Sequence, residues 1–570
     1  MPRLRQPALC LTISSCLFGG TALGAPPNAG TLFNEQRQPG PALPDRLPPP
    51  QREGSIDQGP LTDTSARVTV KEFRFSGHEG LVTESELQYL VRLHIGKTLS
   101  FADLDALVTE ITNYLQEKKG FLLARAYLPR QDVTSGSIEI AIQIGKIDGS
   151  VAIQLKPSTR IDPLFLQKIA NSAVPEGSVV RTKELERAVL LMNDLPGIKA
   201  NASLERGDTP GTTRVLIQAE EGKLLTGSLS ADNFGDRYTG TARGNAQFSL
   251  NDPFGHGEQL SVSYTGAEHL NQGSIAATMP IGFSGLSASL SWTGMNYRLG
   301  GDFSSLNAKG KSSAFNGGLS YPLLRTRENS IWASINGEVI KLQDEAGGSP
   351  TLDRELKVAI AGINGSFMDG FGGGGMTGAN LSLTSGDVDL SDLLSAVDAI
   401  GPKTAGSFTR ATYSLARLQK LTDKLTLFAS FRGQLANGNL DSSQKFILGG
   451  SSGVRAYPVG EASGDQGNLL TLEGRYDFTP GTQLIGFFDG GCIELHKNVW
   501  SGSITNATGR NHYCLSGAGA AINFVQEDSY AIYASLAHVL GSNPGRTRTG
   551  QNSDNRDDKT RLWVQATFRF

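Results

Sequence analysis

From residue 223 to residue 570 the chain alternates apolar and polar residues, segment after segment, with Gly, Asn, Asp and Ser between the segments. Alternation with a period of two marks β-strands whose two faces meet different surroundings. In KLTLFASFRGQL, Leu425, Leu427, Ala429 and Phe431 oppose Thr426, Ser430, Arg432 and Gln434. In NLLTLEGRYDF, Leu470, Leu472, Tyr476 and Phe478 oppose Thr471, Glu473, Arg475 and Asp477. The closing RLWVQATFRF sets Leu562, Val564, Ala566, Phe568 and Phe570 against Arg561, Gln565, Thr567 and Arg569. About 16 such segments follow one another, an even number as transmembrane barrels prefer. A soluble sandwich also alternates, yet it would have to divide this long run, and no linker divides it. A closed antiparallel barrel in lipid explains the run, because strands cross a bilayer only when closure leaves no free edge. Only 38% of residues are hydrophobic and 69 are glycine, a poor supply for one large dry core.

The first residues, MPRLRQPALCLTISSCLFGGTALGA, join a short basic region to an apolar stretch and small residues. This pattern predicts a secretory signal peptide over 1–24, cut after Gly24 or Ala25, with a weaker lipoprotein-like box ending at Cys16. Residues 25–66 read as a Pro-rich linker, with a short helix or simple disorder over Thr31–Gln38. Beyond the signal no apolar run reaches the roughly 18 residues of a membrane-spanning helix. Cys492 and Cys514 remain after processing and predict one disulfide in an oxidising compartment.

Two smaller units separate linker and barrel, over 67–146 and 147–222. In the first, Val68, Val70, Phe73 and Phe75 suggest a strand, and Thr83 with Glu86 makes a capping box ahead of a helix. A second helix carries Phe101, Leu104, Val108, Ile111 and Leu115. SIEIAIQIG then places Ile138, Ile140, Ile142 and Ile144 on one strand face. The second unit repeats the order, with Asp162-Pro163 opening a helix and a strand pair turning at Asp208–Gly211.

Net charge is −3, which gives no broad basic face for nucleic acid. Gly96-Lys97-Thr98 and Gly310-Lys311-Ser312 imitate the end of a phosphate-binding loop, but Val91 and Ser305 stand where its first glycine is required. The seven histidines show no metal-like spacing and no catalytic grouping stands out, so no enzyme, cofactor or metal site is expected.

One loop is anomalous. GGSSGVRAYPVGEASGDQG, residues 449–467, is Gly-rich, yet Val454, Arg455, Ala456 and Tyr457 crowd its middle. Two tandem α/β units, a barrel and this VRAY loop together resemble the two-partner secretion transporters, among the outer-membrane barrels that carry periplasmic POTRA domains. ARAYLPRQDVTSGSIEIAIQIGKI, with Pro129, Gln131 and Gly136, is similar to the family's first module, and LLMNDLPGIKANASLERGDTPG to its second. DNFGDRYTGTAR resembles the first barrel hairpin, and FFDGG supplies Phe487, Asp489 and Gly491 for a Phe-x-Asp-x-Gly wall motif. The family's usual Val-Arg-Gly-Tyr has Ala456 in place of glycine here; at a positive φ this would cost about 1 kcal/mol or more.

The resemblance implies an outer-membrane pore that exports a large exoprotein, an adhesin, haemolysin or contact-dependent toxin, held first by the POTRA domains. It implies that the loop folds into the lumen and sets Arg455 against Asp489. A helix in the linker would plug the pore. Phe568 and Phe570 would form the signal read by the barrel assembly machinery, and lipid would surround the outer face. A barrel-assembling insertase of the same superfamily is the alternative, though insertases typically carry more modules.

Overall fold

In a computed structural model of the protein, the described residues are 26–37, 43, 44, 46, 47 and 67–570, apart from 158, 176–178, 180, 209–211, 527 and 528. The expected signal peptide, most of the Pro-rich linker and the tip of the Asp208–Gly211 turn lie outside them.

Sixteen antiparallel strands close into a barrel, each bonded to its neighbours in sequence. The seam pairs Leu225–Asp232 with Thr560–Arg569, and Gly227 and Phe570 extend it by exchanging backbone hydrogen bonds of 3.1 Å. The alternation in the sequence becomes the two faces of the wall. Leu427, Phe431, Leu472, Tyr476, Leu562 and Phe568 are exposed on the outside, whereas Gln434, Glu473, Arg475 and Trp563 are buried inside. Phe568 stacks beside Phe570, which in turn meets Phe248 edge-on. That aromatic cluster lies at the end where the chain enters the barrel.

Entry from the preceding units at Leu225 assigns the two rims. Connections at that rim are short, such as Thr479 to Thr482, and face the periplasm. Connections at the other rim are long, including residues 437–465 and 495–511. The run from 223 to 570, read from its alternation as strands and turns throughout, also holds a helix. A helix at Asp392–Ile400 fills one outer loop, closed by Asp398, whose carboxylate accepts from the backbone N–H groups of Thr404 and Ala405 at 2.9 Å. A short helical run with its own C-terminal cap needs no long periodic segment, so strand periodicity masks it.

Ahead of the barrel, β1 (Arg67–Thr69) pairs with β3 (Thr98–Ser100), and β2 (Glu72–Ser76), β5 (Ser137–Ile144) and β4 (Ala124–Tyr127) form a sheet in that spatial order. Helices α2 (Glu84–Val91) and α3 (Phe101–Asn113) cover it; both begin with capping boxes, at Thr83 and Ser100. Ile138, Ile140 and Ile142 face these helices and build the core with Leu87, Leu107 and Ile111. Gln131 fastens the β4–β5 connection by exchanging 2.7 Å bonds with the backbone of Glu139.

The second unit adds β6 (Lys146–Ile147) and repeats the plan with β7 (Ala152–Leu155), α4 (Pro163–Ala173), α5 (Thr182–Asn193), β8 (Ile198–Arg206) and β9 (Thr212–Glu221). In both units the last strand is central: β5 runs parallel to β2 and antiparallel to β4, and β9 parallel to β7 and antiparallel to β8. The second unit rests on the periplasmic rim. Arg325 holds both carboxylate oxygens of Asp194, and Arg187 donates to the carbonyls of Ser284 and Pro322.

Candidate functional site in the barrel lumen

Residues 437–465 join strands Leu425–Ala436 and Gln466–Thr479, yet they do not stay outside. The loop turns back into the barrel and forms a small two-stranded piece, Phe446–Ile447 with Ser463–Gly464. Its tip is a tight turn in which the Tyr457 N–H donates to the Val454 carbonyl at 3.0 Å. Val454, Ala456 and Tyr457 are fully buried, and Arg455 is 6% exposed. Glycines around the turn let it bend; the buried aliphatic and aromatic side chains hold it against the wall.

Arg455 enters a complete set of partners. Its Nε and Nη2 each donate to one oxygen of Asp489 at 2.8 Å, and Nη1 reaches Glu473 at 2.9 Å. The guanidinium lies 3.5 Å from the Phe487 ring centroid. Trp563 Nε1 donates to the Arg455 carbonyl at 2.7 Å, and Thr471 donates to Asp489 at 3.1 Å. A buried ion pair is tolerable only when its remaining hydrogen-bonding capacity is met, and here it is.

The wall motif has a part for each residue. Phe487, Asp489 and Gly491 alternate inward on strand Thr482–Glu494. Phe487 supplies the ring under the guanidinium, and Asp489 supplies the paired charge. Gly491 leaves room for the loop: a Cβ there would meet Leu448 Cδ1 at 2.5 Å. Ala456 does not take a positive φ, so the feared strain is absent. Its methyl is accommodated by Gly517 on the next strand, where a Cβ would stand 2.5 Å from Ala456 Cβ. Cys492 and Cys514 are directly opposed across strands Thr482–Glu494 and His512–Gln526 and are bonded, on the outer face of the wall.

The helix α1, Ala29–Glu35, starts two residues before the expected Thr31 because Asn28 caps it, accepting from the Thr31 N–H at 3.0 Å. It lies inside the barrel. Leu32 and Phe33 are buried among inward residues such as Met295, Ile340, Leu342 and Leu356. Its polar ends are also held: the Ala29 N–H donates to Asp344 at 2.7 Å, Asn34 donates to the Lys445 carbonyl at 2.7 Å, and Arg37 pairs with Glu338 at 2.9 Å. Arg354, buried in the wall, reaches Asn28, Ser442, Asp344 and Asp441. Beyond α1 the chain runs toward the periplasmic rim, where Leu43 packs on Leu418 and Phe428 and Arg46 pairs with Asp477. Asp344, Arg354 and Gly517 carry no signal in the sequence beyond their inward register. Glu473 shows only its place on the polar face.

A lumen filled by a separate helix and a folded-back loop, with paired α/β modules at its mouth, invites comparison with known proteins. Residues 211–509 match the haemolysin secretion/activation protein ShlB/FhaC/HecB family, and residues 68–145 match the ShlB-type POTRA domain. The chain belongs to this secretion/activation family. It is 28% identical to the heme/hemopexin transporter protein HuxB of Haemophilus influenzae strain 86-028NP, over 86% of this chain and 85% of that one. It is 24% identical to the outer membrane transporter CdiB of Dickeya dadantii, over 80% of this chain and 83% of that one. Among solved structures, CdiB from Escherichia coli superimposes with a TM-score of 0.68 at 19% identity, covering 95% of this chain and 96% of the other. The protein is an outer-membrane transporter that secretes a partner exoprotein, and no enzymatic step belongs to that activity.

Proposed function

We propose that the two α/β modules, 67–146 and 147–222, act as a pair of POTRA domains that seize the unfolded exoprotein as it crosses the periplasm. The carrying observation is that β2 and β8 are edge strands of their sheets, whereas β4 is covered by Thr112 and Gln116 of the adjoining helical segment. An edge strand offers unpaired backbone groups, and an extended chain adds to it by β-augmentation. The barrel, 223–570, then conducts the chain once α1 leaves the lumen. The linker within 25–66 lets α1 leave while it stays tethered, and residues 1–24 direct export of the transporter itself. Phe568 and Phe570, beside the seam, present the strand end that the barrel assembly machinery closes. Folding of the exoprotein outside gives the movement its direction without a nucleotide. Adhesin, haemolysin and contact-dependent toxin are the candidate cargo classes; because HuxB is named a heme/hemopexin transporter, a cargo serving heme–hemopexin uptake is the first to test.

Removing residues 67–146 tests the capture step. Export should cease while the barrel still inserts and still shifts in gel mobility on heating. Export that survives the deletion would place capture elsewhere.

A further inference from the structure

Below α1 and the folded-back loop the lumen holds a cavity of about 1380 Å³. It extends from Asn34 and Arg37 at the helix, past Ser452 and Gly453 of the loop, to Val525, Ala531 and Arg569 near the periplasmic rim. Eight cationic side chains line it against two carboxylates, Glu338 and Glu473. Five of the eight are matched, by those two carboxylates and by Asp465, Asp477 and Asp489, which do not themselves line the cavity. Three are not: among the described residues Arg410, Arg432 and Arg569 have no ion pair.

Arg410 and Arg432 are held by neutral partners. Arg410 donates Nη1 to the Gln434 side chain at 2.9 Å, while its Nε, shielded from solvent, meets no acceptor. Arg432 donates to the Ser452 carbonyl at 2.7 Å. Both sit on neighbouring inward strands, Gly406–Lys420 and Leu425–Ala436. A polar cleft with charges of one sign and low-dielectric walls concentrates counter-ions, and arginine-lined constrictions favour anions in pores.

We infer that this vestibule makes the ion path through the transporter anion-selective, with Arg410 and Arg432 as the residues that set the selectivity for small inorganic anions such as chloride and phosphate. The inference goes beyond protein export. It concerns what the pore passes when no exoprotein is present, and a chain can export normally while contradicting it.

The test is the reversal potential of the mature full-length protein in a planar bilayer under a KCl gradient. The expected reversal lies toward the chloride equilibrium potential, with chloride favoured several-fold over potassium. Arg410→Gln with Arg432→Gln should bring the ratio to about one, and the corresponding double lysine variant should retain the native preference. Replacing chloride by phosphate should keep the anion preference, separating a charge effect from a chloride-sized site. Heat-shifted gel mobility confirms that each variant is folded. Potassium preference, no preference in the native protein, no conductance at all, or a glutamine variant indistinguishable from native would each overturn the inference. Should the glutamine variant fail to insert, the sign of the native reversal potential and its retention in the lysine variant decide.

Discussion

Arg455 in the folded-back loop and Asp489 on the barrel wall meet side by side, through two hydrogen bonds of 2.8 Å, with neither group open to solvent. The pair ties a Gly-rich loop to one height in the lumen. Loss of either partner strands a buried charge, at a cost of about 3–5 kcal/mol. Arg455→Ala and Asp489→Ala should therefore each lower secretion strongly while the barrel inserts, and the double variant should lose little more than either alone. Additive losses in a double-mutant cycle, together with no cross-link between cysteines placed at 455 and 489, would contradict the pairing. Exchanging the two residues should restore little, because a carboxylate at 455 would face Glu473.

Gly517→Ala should displace the same loop without touching its charges. The added methyl meets Ala456 Cβ at 2.5 Å, a clash that typically costs about 1–3 kcal/mol. Adding Ala456→Gly should restore secretion, since it removes the other half of the clash. Failure of that rescue would mean that Gly517 matters for another reason.

The seat of α1 predicts opposite effects from two substitutions. Asp344→Ala removes the acceptor for the Ala29 N–H and for the Tyr297 hydroxyl, and should raise the frequency of open-channel events; each lost bond is worth about 1 kcal/mol. Glu35, in contrast, is buried with no hydrogen-bond partner for either oxygen, and its burial cost and repulsion by Asp236 oppose the attraction of Arg243. Glu35→Gln should seat α1 more firmly and make openings rarer. Single-channel recordings of the two variants decide the matter.

The bond between Cys492 and Cys514 closes a 22-residue separation at the base of an outer loop. Constraint of the unfolded chain should give about 2–4 kcal/mol of stability. The oxidised mature protein should show no free thiol, and reduction should lower its resistance to heat without abolishing insertion. Rapid alkylation of both cysteines in the absence of reductant would contradict this.

Much of the architecture was legible because period-two alternation over one long run admits few solutions. The faces assigned to Leu427 and Arg432, or to Leu472 and Glu473, depend only on that alternation. Long-range choices were less visible. Nothing local in Asp344, Arg354 or Gly517 distinguishes them from other inward residues, because the partners that give them their part, Ala29, Asn28 and Ala456, are far away in the sequence. The start of α1 was misplaced because Asn28, not a residue nearer Thr31, supplies the cap. Helix Asp392–Ile400 was hidden inside a barrel pattern that offers no reason to look for one. Ala456 shows the limit of motif reasoning: the missing glycine mattered less for the backbone than for the methyl it adds, and Gly517 makes room for that methyl.

The most direct test compares the proteins released by cells with and without this gene. One large exoprotein should disappear from the medium when the gene is deleted, remain trapped in the periplasm or be degraded there, and return with the native chain. An unchanged set of released proteins, accompanied by loss of other barrels from the outer membrane, would contradict secretion and point to an insertase.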